Sequence, residues 1–220
     1  MTGVILIFVG LFLSTESWST PVRELASIQH DDRMDHAREL LGKRFKKSAV
    51  KATEYHEALE QTIFAMVEKN LPKNYRPQAH EITDAIIVEA TKHSLDPFFV
   101  MAVISGESSF NPEATGPVGE IGLMQIRPLT GRWMSEITKT KWRGQKSLKD
   151  PLTNIRLGTA YLAWLREKFK GHGQLYLAAY NMGPTNVKNA LARKVRPKDY
   201  PIHVMKRYLA FYKDVQKESL

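Results

Sequence analysis

The chain contains no cysteine. A disulfide, a thiolate metal site and a cysteine nucleophile are therefore excluded, as is a lipid-modified cysteine that would tether the protein to a membrane. Long apolar runs are nearly absent too. The one example, Val4–Leu13, has the length of an export h-region, and it falls well short of the roughly 20 residues that span a bilayer. No stretch alternates apolar and polar residues for long enough to predict a half-buried sheet. There is no tandem repeat and no low-complexity segment. Acidic residues are in deficit, with 23 Asp and Glu against 32 Lys and Arg, which leaves a formal charge of +9. A basic chain can seek nucleic acid, acidic lipid or an anionic wall polymer. The basic residues are dispersed, with one dense cluster at Gly42–Lys47, and nothing resembles a zinc finger or an RNA-binding motif. His93 has no second histidine at metal-ligand spacing, so it reads as a cation at a helix end. Neither a metal nor a cofactor is expected.

What remains is an ordinary globular composition, with 43% apolar and 25% charged residues over 220 positions. That suffices for one domain with extensions. The N-terminus reads as a signal peptide over 1–19, because Ser17-Trp18-Ser19 places small residues where a signal peptidase acts. Met1-Thr2-Gly3 lacks the usual Lys or Arg, so an uncleaved anchor or an apolar helix of the mature chain stands as the alternative. Export would place the protein in the periplasm or cell envelope, with membrane contact only during passage, and it argues against nucleic acid as a partner.

Residues 20–50 are charged and weakly periodic and are read as an N-terminal extension. Residues 51–77 form an accessory helix, with apolar positions at Tyr55, Leu59, Ile63, Met66 and Val67, and a linker at Leu71–Pro77. The main domain is placed at 78–220. It begins with a helix through Ile82, Ile86 and Ala90. Asp96-Pro97 and Asp150-Pro151 each combine an N-cap acid with a proline suited to the first helical position. Further helices are predicted through Ile155, Gly158, Leu162 and Leu165, from Gln174 to Tyr180, through Val187, Ala190 and Leu191, and after Pro201. The fold class is mainly α, with at most a short β-hairpin near the glycines at 116–122.

Three stretches stand out. The first is Gly106-Glu107-Ser108-Ser109-Phe110-Asn111-Pro112, followed by Gly116-Pro117-Val118-Gly119-Glu120-Ile121-Gly122-Leu123-Met124-Gln125-Ile126. Glu107 shares a helix face with Val100, Val103 and Ile104, so its carboxyl is predicted to point toward the core. Apolar surroundings raise a carboxyl pKa, as a general acid working near neutrality requires. The second stretch is Asp150-Pro151-Leu152-Thr153-Asn154-Ile155-Arg156-Leu157-Gly158, and the third is Ala178-Ala179-Tyr180-Asn181-Met182-Gly183-Pro184.

Taken together and in this order, the stretches resemble the motifs of the soluble lytic transglycosylase family, which shares a lysozyme-like fold with goose-type lysozymes. The resemblance runs from Asp96 to Asn189. It implies a peptidoglycan enzyme that cleaves the MurNAc–GlcNAc β-1,4 bond without water and leaves 1,6-anhydro-MurNAc ends. One glutamate, at the position of Glu107, would act first as acid and then as base toward the muramyl 6-hydroxyl. Ser108, Met124, Gln125, Tyr180 and Asn181 fall on the family's substrate-binding positions, and the partner implied is a peptidoglycan glycan strand, taken up by a monomer. Each of these residues also has a structural reading: a cap or turn for Ser108, core packing for Met124 and Tyr180, and the turn before Gly183 for Asn181. Trp133 and Trp142 are read either as sugar platforms or as buried anchors.

The chain departs from the family pattern in three places. Gly116 stands where a Ser is common, Glu120 stands where a small residue is usual, and no Glu-Thr-Arg stretch is evident around Lys198-Asp199-Tyr200. Glycosidases generally pair two carboxylates, and neither Glu113 nor Glu120 matches a catalytic position. A hydrolase on the same fold, which would need a positioned water and a second acid, is the first alternative. A wall-binding module without turnover is the second.

Overall fold

The computed structural model describes residues 20–53 and 58–218. The signal-peptide reading of 1–19 and the helical reading of Tyr55 fall outside them. The described residues form ten α-helices, joined by short 3₁₀ turns: α1 Thr20–Leu41, α2 Ala49–Ala52, α3 Leu59–Asn70, α4 Ala79–Lys92, α5 Pro97–Ser108, α6 Pro128–Ile137, α7 Pro151–Lys168, α8 Gly173–Met182, α9 Pro184–Ala192 and α10 Asp199–Glu218. Among them there is no named strand. Two isolated antiparallel bridges, Thr115 with Ile121 and Ile121 with Ile126, fall where the sequence allows at most a short hairpin.

α5 is the centre of the molecule. Every residue from Pro97 to Ile104 is buried, and a helix apolar on all sides must be enclosed on all sides. α4 and α10 pack directly against it, while α7, α8 and α9 continue the layer and α6 lies on α7. The helix starts as the sequence predicts. Asp96 Oδ1 accepts from Phe98 N at 2.9 Å, and Pro97 takes the first position. It ends abruptly at Ser109 and Phe110, both left-handed at φ 52° and 61°. Phe110 turns inward, 1% exposed, and anchors the turn.

The segment 20–50, set apart on sequence, contributes Met34, Ala37, Leu41, Phe45 and Val50 to the same core. Charged residues on its other face dilute the apolar period; Glu39, for example, pairs with Arg166 at 2.8 Å. α6 also lies outside the sequence expectation, although Pro128 opens it in the same way as Pro97 and Pro151 open α5 and α7. His93 differs from its reading as a cation, since burial and then neighbouring Lys92 lower its pKa.

A polar network is enclosed at the start of α5. Asp96 is fully buried. Its Oδ2 accepts from Tyr208 Oη at 2.6 Å and from Tyr212 Oη at 2.7 Å, and Arg33 donates to Tyr212 Oη at 2.9 Å. The Asp96 amide donates to His36 Nδ1 at 3.0 Å. Nδ1 therefore carries no proton, and the Nε2–H donates to Tyr176 Oη at 2.9 Å. Burial, followed by the Arg166 charge, depresses the His36 pKa and keeps the ring neutral.

Removing one member of such a network strands the others in low dielectric. Asp96→Ala deletes the α5 cap, leaves Tyr208 and Tyr212 without their acceptor and removes a negative charge that favours buried Arg33. It should cost about 3–5 kcal/mol of unfolding free energy, measured by urea denaturation. A loss below about 1 kcal/mol, the ordinary value of a cap alone, would show that the network is not cooperative.

Candidate active site

The chain from Asn111 to Arg127 crosses the end of α5 without regular secondary structure. Its backbone polar groups therefore need partners from elsewhere. Asn154, fully buried on α7, supplies three contacts. Its Oδ1 accepts from Met124 N at 2.7 Å, and its Nδ2 donates to Ile121 O at 2.8 Å and Leu148 O at 2.9 Å. Gly122, at φ 83°, permits the approach, because a Cβ there would lie 2.3 Å from Asn154 Nδ2 and 2.4 Å from Leu148 O.

Gln125 is itself left-handed at φ 47°. Its Nε2 donates to Ala114 O at 3.0 Å and Gly122 O at 2.9 Å. Ser108 Oγ reaches Leu123 O at 2.8 Å and Ile104 O at 3.2 Å, tying the end of α5 to the loop. Tyr180 Oη donates to Met124 O at 2.8 Å.

Between this loop and the α8–α9 corner lies a groove of about 490 Å³. Glu107, Gln125, Tyr180 and Asn181 line it, together with Glu120, Arg127 and Tyr161. Four of the six residues singled out on sequence thus meet on one surface. Ser108 sits beside them with its hydroxyl turned into the loop. Met124 does not fit the sequence reading: its side chain is 0% exposed and lies over Gly158, where a Cβ would come within 2.5 Å of the sulfur. It fills the core against Gly158 and Thr159 of α7 and offers no face to a sugar.

Glu107 is half-buried and its pKa is raised. Burial is the principal cause. A hydrogen bond from Tyr200 works against it, the Glu120 charge adds to it, and the Arg207 charge opposes it. The partner of Glu107 is thus Tyr200, whose Oη donates to Oε1. Tyr200 was missed because it sits on α10, far along the chain, in the stretch where the family pattern fails. The one available signal was an aromatic beside Pro201 at a helix start. Burial, first of all, holds both tyrosine hydroxyls well above their ordinary pKa, so Tyr200 stays a proton donor to Glu107.

Neither rival carboxylate resembles Glu107. Glu113 is exposed, lies off the groove, and accepts from Tyr75 Oη at 3.1 Å. Glu120 does line the groove, but its pKa is lowered: burial pushes it up, and hydrogen bonds from its own amide, Arg127 and Val118 outweigh that push. Trp142 packs partly buried over Gly131. Trp133, 36% exposed, meets Trp164 edge-on at 4.8 Å and joins Tyr161 and Tyr180 in an aromatic row. Among the described residues, no three His, Asp or Glu side chains are grouped as metal ligands would be.

The sequence model of the Transglycosylase SLT domain family matches residues 84–202, more than half the chain and the whole of this groove. The chain belongs to that family. The soluble lytic murein transglycosylase of Escherichia coli K12 is 41% identical over 96 residues, 42% of this chain and 15% of that protein. Membrane-bound lytic murein transglycosylase C of Edwardsiella ictaluri is 31% identical over 134 residues, 57% of this chain and 37% of that protein. In structure, the 70 kDa soluble lytic transglycosylase of Escherichia coli superposes with a TM-score of 0.55 at 25% identity, over 89% of this chain and 35% of that one. The SLT chain described here therefore spans well under half the length of the relatives it matches. Its helical fold is the lysozyme-like one of that structural neighbour.

The tension at Glu107 generates a pH prediction. Tyr200 favours the ionised form, so Tyr200→Phe should raise the Glu107 pKa and move to higher pH the activity limb that Glu107 would govern as a general acid. Glu120→Gln removes a repelling charge and should move the same limb to lower pH. Stability gives an independent check. Because the folded pKa is raised, the Glu107 contribution is fully present below the unfolded value and is lost as pH rises through the folded one. Glu107→Gln should abolish that loss in unfolding free energy measured against pH. Limbs that shift the opposite way would refute this electrostatic account.

Proposed function

We propose that the protein is a peptidoglycan lytic transglycosylase that cleaves the MurNAc–GlcNAc β-1,4 bond and closes a 1,6-anhydro ring on the muramyl residue. The observation that carries this reading is a single acid of raised pKa in a groove whose other carboxylate is ionised and bound to arginine. Cleavage begins when the Glu107 carboxyl protonates the glycosidic oxygen as the C1–O bond breaks. The resulting carboxylate is held by the Tyr200 hydroxyl, which limits the penalty of leaving a charge half-buried. Glu107 then takes the proton of the muramyl 6-hydroxyl as that oxygen bonds to C1, and the acid is restored. Because the nucleophile belongs to the substrate, positioning supplies what a second catalytic base would otherwise supply. Gln125, Tyr180 and Asn181 form the walls that position it; Gln125 and Tyr180 act by holding the loop, and exposed Asn181 by direct contact. The hydrolytic alternative needs a water activated by a second base. Glu120 is the one candidate in the groove, and its oxygens already accept from Arg127 and Val118 N.

The catalytic unit is placed at 78–220, with 51–77 as an accessory helix and linker and 20–50 as an extension docked on it. The protein acts as a monomer on glycan strands, after export to the periplasm or envelope. Among the described residues, no helix is long and apolar enough to cross a membrane.

Mass spectrometry of products from purified peptidoglycan tests the reaction. Anhydro-muramyl ends are expected, and reducing-end MurNAc as the main product would favour the hydrolase. Glu107→Gln keeps size and loses the transferable proton, so turnover should fall by about 10²–10⁴-fold, toward the upper end because the residue acts twice. Glu113→Gln should leave it nearly unchanged. For export, N-terminal sequencing of envelope-derived protein should find a start near Thr20, whereas an intact Met1 form in the membrane fraction would show an anchor.

A further inference from the structure

The two departures at 116 and 120 are one structural feature. Gly116 and Glu120 close a turn, with Gly116 N donating to Glu120 O at 2.8 Å. The Glu120 side chain folds back over it, so that a Cβ on Gly116 would lie 2.5 Å from Glu120 Oε2 and 2.8 Å from Gln125 Oε1. The carboxylate is held at both oxygens. Oε2 accepts from Val118 N at 3.1 Å, and Oε1 accepts from Arg127 Nε at 3.0 Å. Arg127 leads into α6, and its side chain is 58% exposed. Its Nε is engaged by Glu120, while its terminal nitrogens meet no protein acceptor among the described residues. Arg127 is also the one cation among the groove-lining residues, beside Glu107 and Glu120.

A guanidinium fixed at Nε still presents two parallel N–H groups at its outer edge, the geometry that a carboxylate accepts in bidentate fashion. We propose that Gly116, Glu120 and Arg127 form a carboxylate-binding station on the groove wall, in which Arg127 engages an acidic substituent of the bound glycan. Gly116 leaves the space, Glu120 orients the guanidinium, and Arg127 makes the contact. The occupant is the carboxylate of the lactyl-linked peptide on a muramyl residue, so this inference rests on the peptidoglycan reading above. A neutral amino-sugar polymer has no group for the station. The enzyme therefore discriminates by substituent charge as well as by sugar.

Binding to the full-length Glu107→Gln protein, in which turnover is suppressed, reads this without kinetics. The probes are a glycan fragment carrying free peptide carboxylates and the same fragment with those carboxylates amidated, compared by calorimetry at low and high salt. The acid form should bind about three- to tenfold more tightly, as for one charge-assisted contact at an exposed site, and salt should shrink the ratio. Adding Arg127→Gln should bring the ratio close to one. Adding Gly116→Ser should do the same by displacing the Glu120 carboxylate, with thermal unfolding confirming that each variant is folded. Arg127→Lys keeps the charge and loses the fork, so it should retain only part of the preference. A ratio of one in the parent, a ratio unmoved by Arg127→Gln, or no binding of either probe would overturn the station. Products of the unmodified chain judge the lyase reading separately: anhydro ends together with a ratio of one would leave the reaction standing and remove the station.

Discussion

A groove lined by irregular backbone can exist only if its amides and carbonyls are satisfied by something other than a ladder. Here that duty falls on side chains from three helices. Asn154 of α7 takes Met124 N, Ile121 O and Leu148 O, Ser108 of α5 takes Leu123 O, and Tyr180 of α8 takes Met124 O. Gln125 closes the loop on itself through Ala114 O and Gly122 O. The loop is thereby attached to α5, α7 and α8 at once, and its floor cannot shift without breaking buried hydrogen bonds. Gly122 and Gly158 belong to the same device. Each lacks a Cβ because Asn154 or Met124 occupies the place where one would be.

That rigidity has an electrostatic use. α5 is enclosed by apolar side chains up to Ile104, and its last turn delivers Glu107 to the rim of the groove. Apolar enclosure favours the neutral acid, and the Tyr200 hydroxyl favours the anion. In the proposed reaction Glu107 gives a proton and then recovers one, and this opposition serves both steps, because neither form is stabilised so far that the other becomes inaccessible. The helix cannot supply the hydrogen bond from its own residues. It comes from α10, which is packed along α5.

The parts of this arrangement that were legible in the sequence are the local ones. Asp96-Pro97 and Asp150-Pro151 open helices, as their capping chemistry requires, and Glu107 comes half-buried at the groove end of the enclosed α5. Gln125, Tyr180 and Asn181 reach the groove. What failed involved a choice between two packing partners. Met124 has the same flexible apolar side chain whether it faces a sugar or Gly158, and only the position of α7 decides. Tyr180 and Tyr200 are both aromatics near Glu107 in space, and the packing of α10 on α5 decides that Tyr200 takes the carboxyl while Tyr180 takes Met124 O. α1 was obscured because its buried positions alternate with charges that pair across the surface, as Glu39 does with Arg166. The relation between Gly116 and Glu120 was invisible for a similar reason: two separate departures from a pattern do not disclose that one side chain fills the space left by the other.

The buried network around Asp96 bears on the groove through geometry rather than contact. Three helices each carry, or are capped by, at least one residue of the network and also carry at least one residue of the site. α5 is capped by Asp96 and ends in Glu107, roughly 16 Å along its axis. α8 carries Tyr176, bonded to His36, one turn before Tyr180, bonded to the loop. α10 carries Tyr200 on Glu107 and, two turns later, Tyr208 on Asp96. A helix transmits a fixed end over this distance with little loss, because its hydrogen-bond ladder permits neither stretching nor twisting at low cost. Pinning all three helices at the Asp96 end therefore sets the axial position and rotation at which Glu107, Tyr180 and Tyr200 meet. Arg33 and His36 bring α1 into the same arrangement. The polar residues least accessible to substrate are in this sense part of what aligns the acid with its partner.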